Sequence, residues 1–181
     1  MRKQSITHLS HLYLNEIIDS NDIVIDATCG RGHDTLFLAN RCKKVYAFDI
    51  QKDAIDSTKY LLNEHHITNV ELIHDSHEHF SEYVSSFKGA IFNLGYLPKG
   101  NKNITTHAKS TIHTVDLMLN HLPLNGFILL VVYPGHLEGR HEALEINKYL
   151  ESLNPKSYKT IKTYLPFQDN HPPYILWITK T

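Results

Sequence analysis

The chain has 181 residues, of which 41% are hydrophobic, and its 18 basic and 19 acidic side chains give a formal net charge of −1. This length and composition predict one globular domain over residues 1–181. The near-zero net charge excludes binding to nucleic acid through a general excess of positive charge. An RNA partner would have to be held by a few local cations or by contacts to bases.

Cysteine content and hydropathy limit the cellular setting. The chain has only two cysteines, Cys29 and Cys42, so no disulfide framework is indicated. Residues 1–18 lack a continuous apolar run, and no stretch of about 18 apolar residues occurs anywhere. We therefore expect a cytoplasmic protein without a membrane partner. The sequence leaves the oligomeric state open and is compatible with a homodimer.

Apolar runs and helical periodicities alternate along the chain. Residues 1–21 place apolar side chains at helical spacing and predict a leading helix packed on the domain. Strands are predicted at 23–25, 44–48, 69–73, 90–93 and 126–133, and helices at 36–40, 50–64, 105–121 and 138–153. The run 126–133 (GFILLVVY) is apolar on both faces, which is typical of an interior strand of a parallel sheet covered by helices.

The last two predicted strands, 158–165 and 174–179, are joined by a short loop. They are most simply an antiparallel pair, because a parallel crossover needs about a dozen residues or more. The sequence therefore predicts an α/β fold with a mostly parallel seven-stranded sheet, a C-terminal antiparallel hairpin and helices on both faces.

The segment 22–35 (DIVIDATCGRGHDT) combines a strand ending at Asp26, a turn holding Gly30 and Gly32, and the start of a helix. In this arrangement an α/β sheet offers a nucleotide-like ligand close backbone approach and free helix N–H groups. The alternative is a tight strand-to-helix turn that binds nothing. Asp49 ends the next strand, about 20 residues after the turn, where a carboxylate accepts hydrogen bonds from ribose hydroxyls. Asp49 could also cap the helix that follows it.

These features together resemble the class I S-adenosylmethionine-dependent methyltransferases, a Rossmann-like fold whose seven-stranded sheet ends in such a hairpin. More narrowly, DATCGRGHDT, FDIQ, HDSHE, NLGYLPKG and YPGH are similar to segments of the small rRNA methylase family of Gram-positive bacteria. That family includes a tRNA methyltransferase that converts 5-aminomethyl-2-thiouridine to its 5-methylaminomethyl form at the wobble position. The resemblance covers nearly the whole chain. It implies an RNA methyltransferase that uses S-adenosylmethionine and acts on the tRNA anticodon loop.

The resemblance also implies where the cofactor binds. Asp26 is expected to hold the amino group of the methionyl part, and Asp49 and Gln51 to contact the ribose or adenine. Ser76 and His77 are expected beside the adenine. The complete set of expected cofactor contacts is Asp26, Cys29, Gly30, Arg31, Gly32, His33, Asp34, Asp49, Gln51, Ser76, His77 and Asn93. Arg31 and His33 are equally compatible with a contact to the cofactor carboxylate and with a position facing solvent.

A metal site is the rival interpretation of the run 74–79 (HDSHEH), which holds three histidines and two carboxylates. A transition-metal site needs converging ligands, such as His-x-x-x-His on a helix or paired Cys-x-x-Cys, and this run contains neither. We therefore predict that the protein binds no metal.

The segment 93–100 (NLGYLPKG) follows the fourth predicted strand. Class I enzymes that act on amino groups often carry Asp or Asn there, followed by Pro-Pro and an aromatic residue. Leu-Gly replaces Pro-Pro in this chain, which leaves open whether the backbone carbonyl after Asn93 faces the substrate. Asn93 is expected to accept a hydrogen bond from an amine, and Tyr96 to stack on a base, wall the pocket or pack under the loop. Lys99 and Lys102 are placed to meet phosphates.

A primary alkylamine is mostly protonated at neutral pH, so either a side chain must take its proton or an apolar pocket must favour its neutral form. The candidate side chains are His136 and Tyr133, although His136 could instead cap the next helix.

The run 171–174 (HPPY) imitates the Pro-Pro-aromatic string, but its place in the terminal hairpin favours a substrate-edge loop. Two other classes of protein are alternatives to a methyltransferase. A non-catalytic cofactor-binding module would need a degraded Asn93 region, and a dehydrogenase would need a third glycine in the turn.

Overall fold

The computed structural model describes residues 5–95 and 106–181. Seven strands in these ranges form a single sheet. They are β1 (Ile23–Asp26), β2 (Lys44–Phe48), β3 (Val70–Ile73), β4 (Gly89–Asn93), β5 (Phe127–Val132), β6 (Tyr158–Thr163) and β7 (Tyr174–Lys180). Their order is β3-β2-β1-β4-β5-β7-β6. The first five strands pair in parallel, whereas β7 is antiparallel to both β5 and β6. The predicted sheet and its antiparallel end are confirmed.

Six α-helices lie in the same two ranges. They are α1 (Ile6–Ile17), α2 (His33–Ala39), α3 (Lys52–Glu64), α4 (Phe80–Tyr83), α5 (Ala108–His121) and α6 (Leu137–Glu151). A 3-10 turn at His77–His79 precedes α4. Neither of these two short elements was predicted, because they are too short to show a hydrophobic period. None of the helices in the described ranges has the length and apolar character needed to cross a bilayer.

The helices cover both faces of the sheet. Val115 of α5 and Ile146 of α6 belong to the core on one face. Leu14 of α1 and Leu38 of α2 belong to the core on the other. The strand β5 is buried along its whole length and supplies alternate side chains to the two cores, as its apolar sequence predicts. Each fully buried side chain of this size contributes about 1.5–3 kcal/mol to folding.

The strand order creates a crevice beside β1. The chain runs outward from β1 through β2 and β3 on one side, and through β4 and β5 on the other. Ligands of open α/β sheets bind at the carboxyl ends of the strands where this direction reverses. Because β1 to β5 are parallel, the residues that end them or follow them meet at this edge, including Asp26, Asp49, Asn93 and Tyr133.

Candidate active site

A cavity of about 2450 Å³ opens at the carboxyl edge of the parallel strands. Its walls come from the segments after β1 to β5, from one side of α5 and α6, from Thr7 of α1 and from residues 170–173 before β7. It is lined by every expected cofactor contact except Asp26 and Gly32, namely Cys29, Gly30, Arg31, His33, Asp34, Asp49, Gln51, Ser76, His77 and Asn93. Tyr133 and His136 line it as well. Tyr96, Lys99 and Lys102 lie outside the described residues.

The glycine turn is fixed by backbone geometry. Gly30 and Gly32 both have positive φ, of 54° and 81°, which a residue with a side chain adopts only with strain. Gly30 faces the cavity. A Cβ on Gly32 would instead lie 2.8 Å from the Thr58 Cγ2 atom of α3. This glycine therefore permits close packing of α3 on the turn, and the expected contact of its backbone with the cofactor stays a prediction.

Asp26 is fully buried at the end of β1, beneath the turn. Its Oδ2 accepts a hydrogen bond from the Thr35 hydroxyl at 2.6 Å, and Oδ1 accepts one from the Thr28 N–H at 3.3 Å. Burial raises the pKa of this carboxyl to about 7, and repulsion from Asp34 and Asp49 adds to the rise. Asp26 was expected to hold the methionyl amino group directly. The structure instead gives its oxygens internal partners, so that it holds the start of α2.

Asp49 joins the turn to β2. Its Oδ2 accepts from the Gly30 N–H at 3.0 Å and its Oδ1 accepts from the Gln51 N–H at 2.9 Å. The N-cap residue of α3 is Gln51, so Asp49 precedes the cap and the capping alternative does not apply. Burial raises the pKa of Asp49, and the two backbone N–H groups oppose that rise. A carboxylate has about four acceptor positions, so Asp49 keeps acceptor capacity for a ligand.

The histidine-rich run after β3 diverges rather than converging on one point. His74 Nε2 lies 3.1 Å from the Ile50 carbonyl, His77 Nδ1 lies 2.9 Å from the Thr114 hydroxyl, and His79 Nδ1 lies 3.0 Å from Asp75. Among the residues that the structure describes, no group of three or more His, Cys, Asp or Glu side chains could hold a metal ion.

The expected adenine side of the cavity is made by Ser76 and His77. The Ser76 hydroxyl caps the 3-10 turn by accepting from the Glu78 N–H. The His77 ring is 9% exposed and packs edge-on against Phe92, with 5.4 Å between ring centroids. Burial lowers the pKa of His77 to about 4, so the ring is neutral at physiological pH. His77 is thus a buried wall of the cavity.

The other turn residues differ in character. Arg31 is exposed and His33 is the first residue of α2, and both line the cavity. Cys29 is buried, with its sulfur 3.6 Å from the Thr58 hydroxyl. Burial raises the pKa of the Cys29 thiol, so this cysteine is held in its unreactive, protonated form.

Asn93 is held at both its backbone and its side chain. Its N–H donates to the Thr28 hydroxyl at 2.7 Å, and its Nδ2 donates to Asp34 Oδ2 at 2.6 Å. The other Asp34 oxygen is hydrogen-bonded to His11 Nε2 of α1. Neither Thr28 nor His11 was predicted from the sequence. Thr28 lies within the DATCGRGHDT segment, whereas His11 has no local motif and meets the site only through packing of the leading helix.

The two candidate proton acceptors, Tyr133 and His136, are constrained. His136 is the N-cap of α6 and its Nδ1 accepts from the Gly139 N–H at 2.9 Å, so the capping alternative is realised. With that lone pair used, the neutral ring carries its proton on Nε2. Burial raises the pKa of Tyr133, whose hydroxyl is hydrogen-bonded to Thr7. His136 Nδ1 is therefore used by the helix cap and Tyr133 keeps its proton at neutral pH, while their expected role as proton acceptors stays a prediction.

A buried carboxylate, Glu142, joins α6 to the chain beside residues 96–105. Glu142 of α6 is 3% exposed and accepts from the hydroxyls of Thr106 and Thr111, at 2.7 Å and 3.0 Å. Thr106 in turn accepts from the Gly95 N–H at 2.8 Å and donates its own N–H to the Gly95 carbonyl at 3.1 Å. The two chain ends that flank residues 96–105 are therefore tied to each other and to α6.

Comparison with known proteins identifies the family to which this chain belongs. Residues 45–179 match a family model described as "Putative rRNA methylase". The chain is 38% identical over 170 residues to the chloroplastic tRNA (mnm(5)s(2)U34)-methyltransferase of Arabidopsis thaliana, a match covering 86% of this chain and 62% of that protein. The chain thus spans less than two thirds of the length of that relative.

Two solved structures match over their full length. One, from Clostridium thermocellum, is described as a "putative rRNA-methylase", with a TM-score of 0.95 and 33% identity. The other is a "putative methyltransferase" from Streptococcus mutans in complex with SAH, with a TM-score of 0.92 and 35% identity. Each match covers 100% of both chains. The family match, the sheet order and the cavity at its carboxyl edge agree: the chain belongs to the rRNA methylase family and has the class I methyltransferase fold.

Proposed function

We propose that this protein is an S-adenosylmethionine-dependent RNA methyltransferase that N-methylates the aminomethyl group of 5-aminomethyl-(2-thio)uridine at the tRNA wobble position. The observation that carries the proposal is the orientation of the Asn93 side-chain amide at the cavity. Its amide nitrogen is occupied by Asp34, so its amide oxygen is the group available to accept from an amine. The name of the Arabidopsis relative, which specifies mnm(5)s(2)U34, supports the same nucleoside.

The carboxylates at the cavity support S-adenosylmethionine as the cofactor. Asp34 and Asp49 line the cavity, and both raise the pKa of the neighbouring buried Asp26 by repulsion. A ligand that carries an ammonium and a sulfonium offsets this crowding of carboxylates. The remaining acceptor capacity of Asp49 suits ribose hydroxyls, and the Gly30 backbone leaves room beside it. The SAH complex of the Streptococcus mutans relative supports this choice of cofactor.

The substrate half is supported by the shape and lining of the cavity beyond Asn93. Its walls there include Ile112, Tyr133 and the Pro172-Pro173 loop, and an apolar, desolvated wall favours the neutral form of an alkylamine. The exposed, cavity-lining Lys109 supplies a cation for an RNA phosphate, and several lining histidines supply flat rings for unstacked bases.

The residues named above would align the amine nitrogen with the methyl group. When bound, S-adenosylmethionine supplies a methyl group already activated on its sulfonium. Asn93 accepts an N–H of the neutral amine and aims the nitrogen lone pair at the methyl carbon. The methyl group would pass from sulfur to this nitrogen, so the positive charge would move from the sulfonium to the ammonium product. Such orientation can supply about 7–11 kcal/mol of the barrier reduction.

A methyl-transfer assay on three RNAs tests the proposal. The substrates are tRNA carrying the aminomethyl group, the same tRNA lacking it, and ribosomal RNA, each with labelled S-adenosylmethionine. We expect transfer to the first alone. Equal transfer to tRNA lacking the amine, or transfer to ribosomal RNA alone, would overturn the substrate assignment and leave the cofactor assignment intact. Absence of cofactor binding would indicate that the methyltransferase assignment itself is wrong.

An alanine variant sharpens the assay. Asn93→Ala should lower kcat by about 100-fold while affinity for S-adenosylhomocysteine stays close to wild type, because alignment of the amine is lost and all the other cofactor contacts remain. The matched control is Asn40→Ala, at an exposed asparagine on the far end of α2 that bonds only the Leu36 carbonyl. Asn40→Ala should keep the wild-type kcat.

A further inference from the structure

The leading helix reaches the candidate active site through His11. Its Nε2 is hydrogen-bonded to Asp34 Oδ1, and Asp34 Oδ2 accepts from Asn93 Nδ2 at 2.6 Å. The three side chains come from α1, from α2 and from the end of β4. They form a chain that begins outside the glycine turn and ends at the residue proposed to meet the substrate amine.

The chemistry of this chain fixes the orientation of the Asn93 amide. An ionised carboxylate only accepts hydrogen bonds, so the amide must turn its NH₂ group toward Asp34 and its oxygen away. A carboxylate held by a single partner could rotate and release the amide. His11 occupies the second oxygen, so the plane of the carboxylate is held from both sides.

His11 is itself held in place by stacking. Its ring lies parallel to that of Phe37 in α2, with 3.7 Å between centroids and 10° between planes. A second contact also joins α1 to α2. The Arg41 guanidinium lies 3.7 Å from the Phe37 ring centroid and bonds Asn15 of α1 without touching Asp34. Anchoring of the leading helix and orientation of Asp34 are therefore separable by mutation.

We propose that His11 is a positioning residue for methyl transfer, acting through Asp34 to keep the Asn93 amide oxygen turned toward the reacting amine. This inference rests on the proposed N-methyltransferase function. The leading helix then supplies a residue that positions the site, and it also packs on one face of the sheet. A purely structural role for His11 would stabilise α1 without affecting turnover.

The test uses three variants of the full chain. His11→Phe keeps the stack on Phe37 but cannot donate to Asp34, His11→Gln restores an N–H donor, and Arg41→Gln weakens the other contact between α1 and α2. For each, kcat and KM are measured on tRNA carrying the aminomethyl group. Affinity for S-adenosylhomocysteine is measured by calorimetry and Tm by scanning fluorimetry. If His11→Phe does not fold, His11→Asn, whose amide is too short to reach Asp34, replaces it.

We expect His11→Phe to lower kcat by about 10- to 100-fold, with KM and cofactor affinity within about twofold of wild type. His11→Gln should recover most of the loss, and Arg41→Gln should lower Tm while keeping kcat. An unchanged kcat in His11→Phe would overturn the inference. So would an equal loss of kcat in Arg41→Gln, because that would trace the effect to anchoring of the helix. A wild-type protein that transfers nothing to this tRNA would overturn the proposed function, and this inference with it.

Discussion

The Gly30 backbone N–H donates to the Asp49 carboxylate across 3.0 Å. This bond joins the two elements that the sequence marks for cofactor binding, the glycine turn and the end of β2. Asp49 therefore has two duties, since it shapes the turn and also presents its remaining lone pairs to the cavity. Its loss should affect the turn and the ligand together.

Asp49→Ala should weaken binding of S-adenosylmethionine by about 1.5–3 kcal/mol, because hydrogen bonds from ribose hydroxyls to a charged group are lost. Isothermal titration calorimetry on the folded variant measures this change. The control is Asp56→Ala, which removes an exposed carboxylate of α3 whose side-chain partner is Lys52. Unchanged affinity in folded Asp49→Ala would show that the ribose lies elsewhere.

Gly32→Ala should lower the free energy of unfolding by about 1–3 kcal/mol, because the backbone at φ 81° disfavours a side chain and the new Cβ meets Thr58. Urea unfolding measures the loss. Gly135→Ala is the matched control, since φ there is not positive and a Cβ at that position meets nothing within 4 Å. Equal stability of the two variants would contradict the packing role assigned to Gly32.

Stability should depend on pH through Asp26. Burial raises the pKa of its carboxyl from 3.8 to about 7 in the folded protein. The folded state then binds the proton more tightly, so Asp26 stabilises the fold at low pH and this contribution is lost as pH rises through about 7. His77 has the opposite effect on stability between about pH 4 and 6.5. Burial lowers the pKa of that ring, so the stability that His77 contributes is lost as pH falls.

The difference between wild type and Asp26→Asn isolates the carboxyl from that opposing effect. Unfolding free energies at several pH values from 4 to 8 should show the variant gaining on wild type as pH rises, by at most about 1.4 kcal/mol per pH unit. A difference that stays constant across the range would mean that Asp26 keeps an ordinary pKa in the folded protein.

Methyl transfer should survive dialysis against a chelator. His74, His77 and His79 each bond a different protein group, and sulfonium chemistry needs alignment rather than a Lewis acid. Metal content by elemental analysis and activity before and after dialysis provide the check. Stoichiometric zinc whose removal abolishes transfer would overturn the prediction of a metal-free protein.

Lys99→Ala and Lys102→Ala should raise the apparent KM for tRNA and weaken its salt dependence, while kcat and cofactor affinity stay near wild type. The assay is initial rate against tRNA concentration at two or more salt concentrations. Lys59→Ala, at an exposed position on α3 that does not line the cavity, is the control. A fall in kcat at constant KM would indicate that these lysines act on the reacting groups instead of on phosphates.

The sequence predicted the sheet well because its signals are local. The apolar run of β5 and the short loop between β6 and β7 were enough to infer parallel pairing and an antiparallel end. The positions of Asp49 and Asn93 at the cavity were predictable for the same reason, since each ends or follows an apolar strand. Parallel strands bring their carboxyl ends to one edge of the sheet.

The sequence could not reveal contacts that depend on packing between distant elements. His11 meets Asp34 across 23 residues of chain, and Glu142 meets Thr106 across 36. Neither pair carries a spacing signal. The burial of Asp26 was also missed, because a carboxylate at a strand end is compatible with facing a ligand or with supporting the turn beneath it.

Nucleoside mass spectrometry tests the central claim most directly. Transfer RNA from cells lacking this protein should lose 5-methylaminomethyl-2-thiouridine at the wobble position and accumulate 5-aminomethyl-2-thiouridine. Expression of the wild-type chain should reverse this change, whereas expression of Asn93→Ala should not. Wobble nucleosides identical in cells with and without the protein would contradict the account.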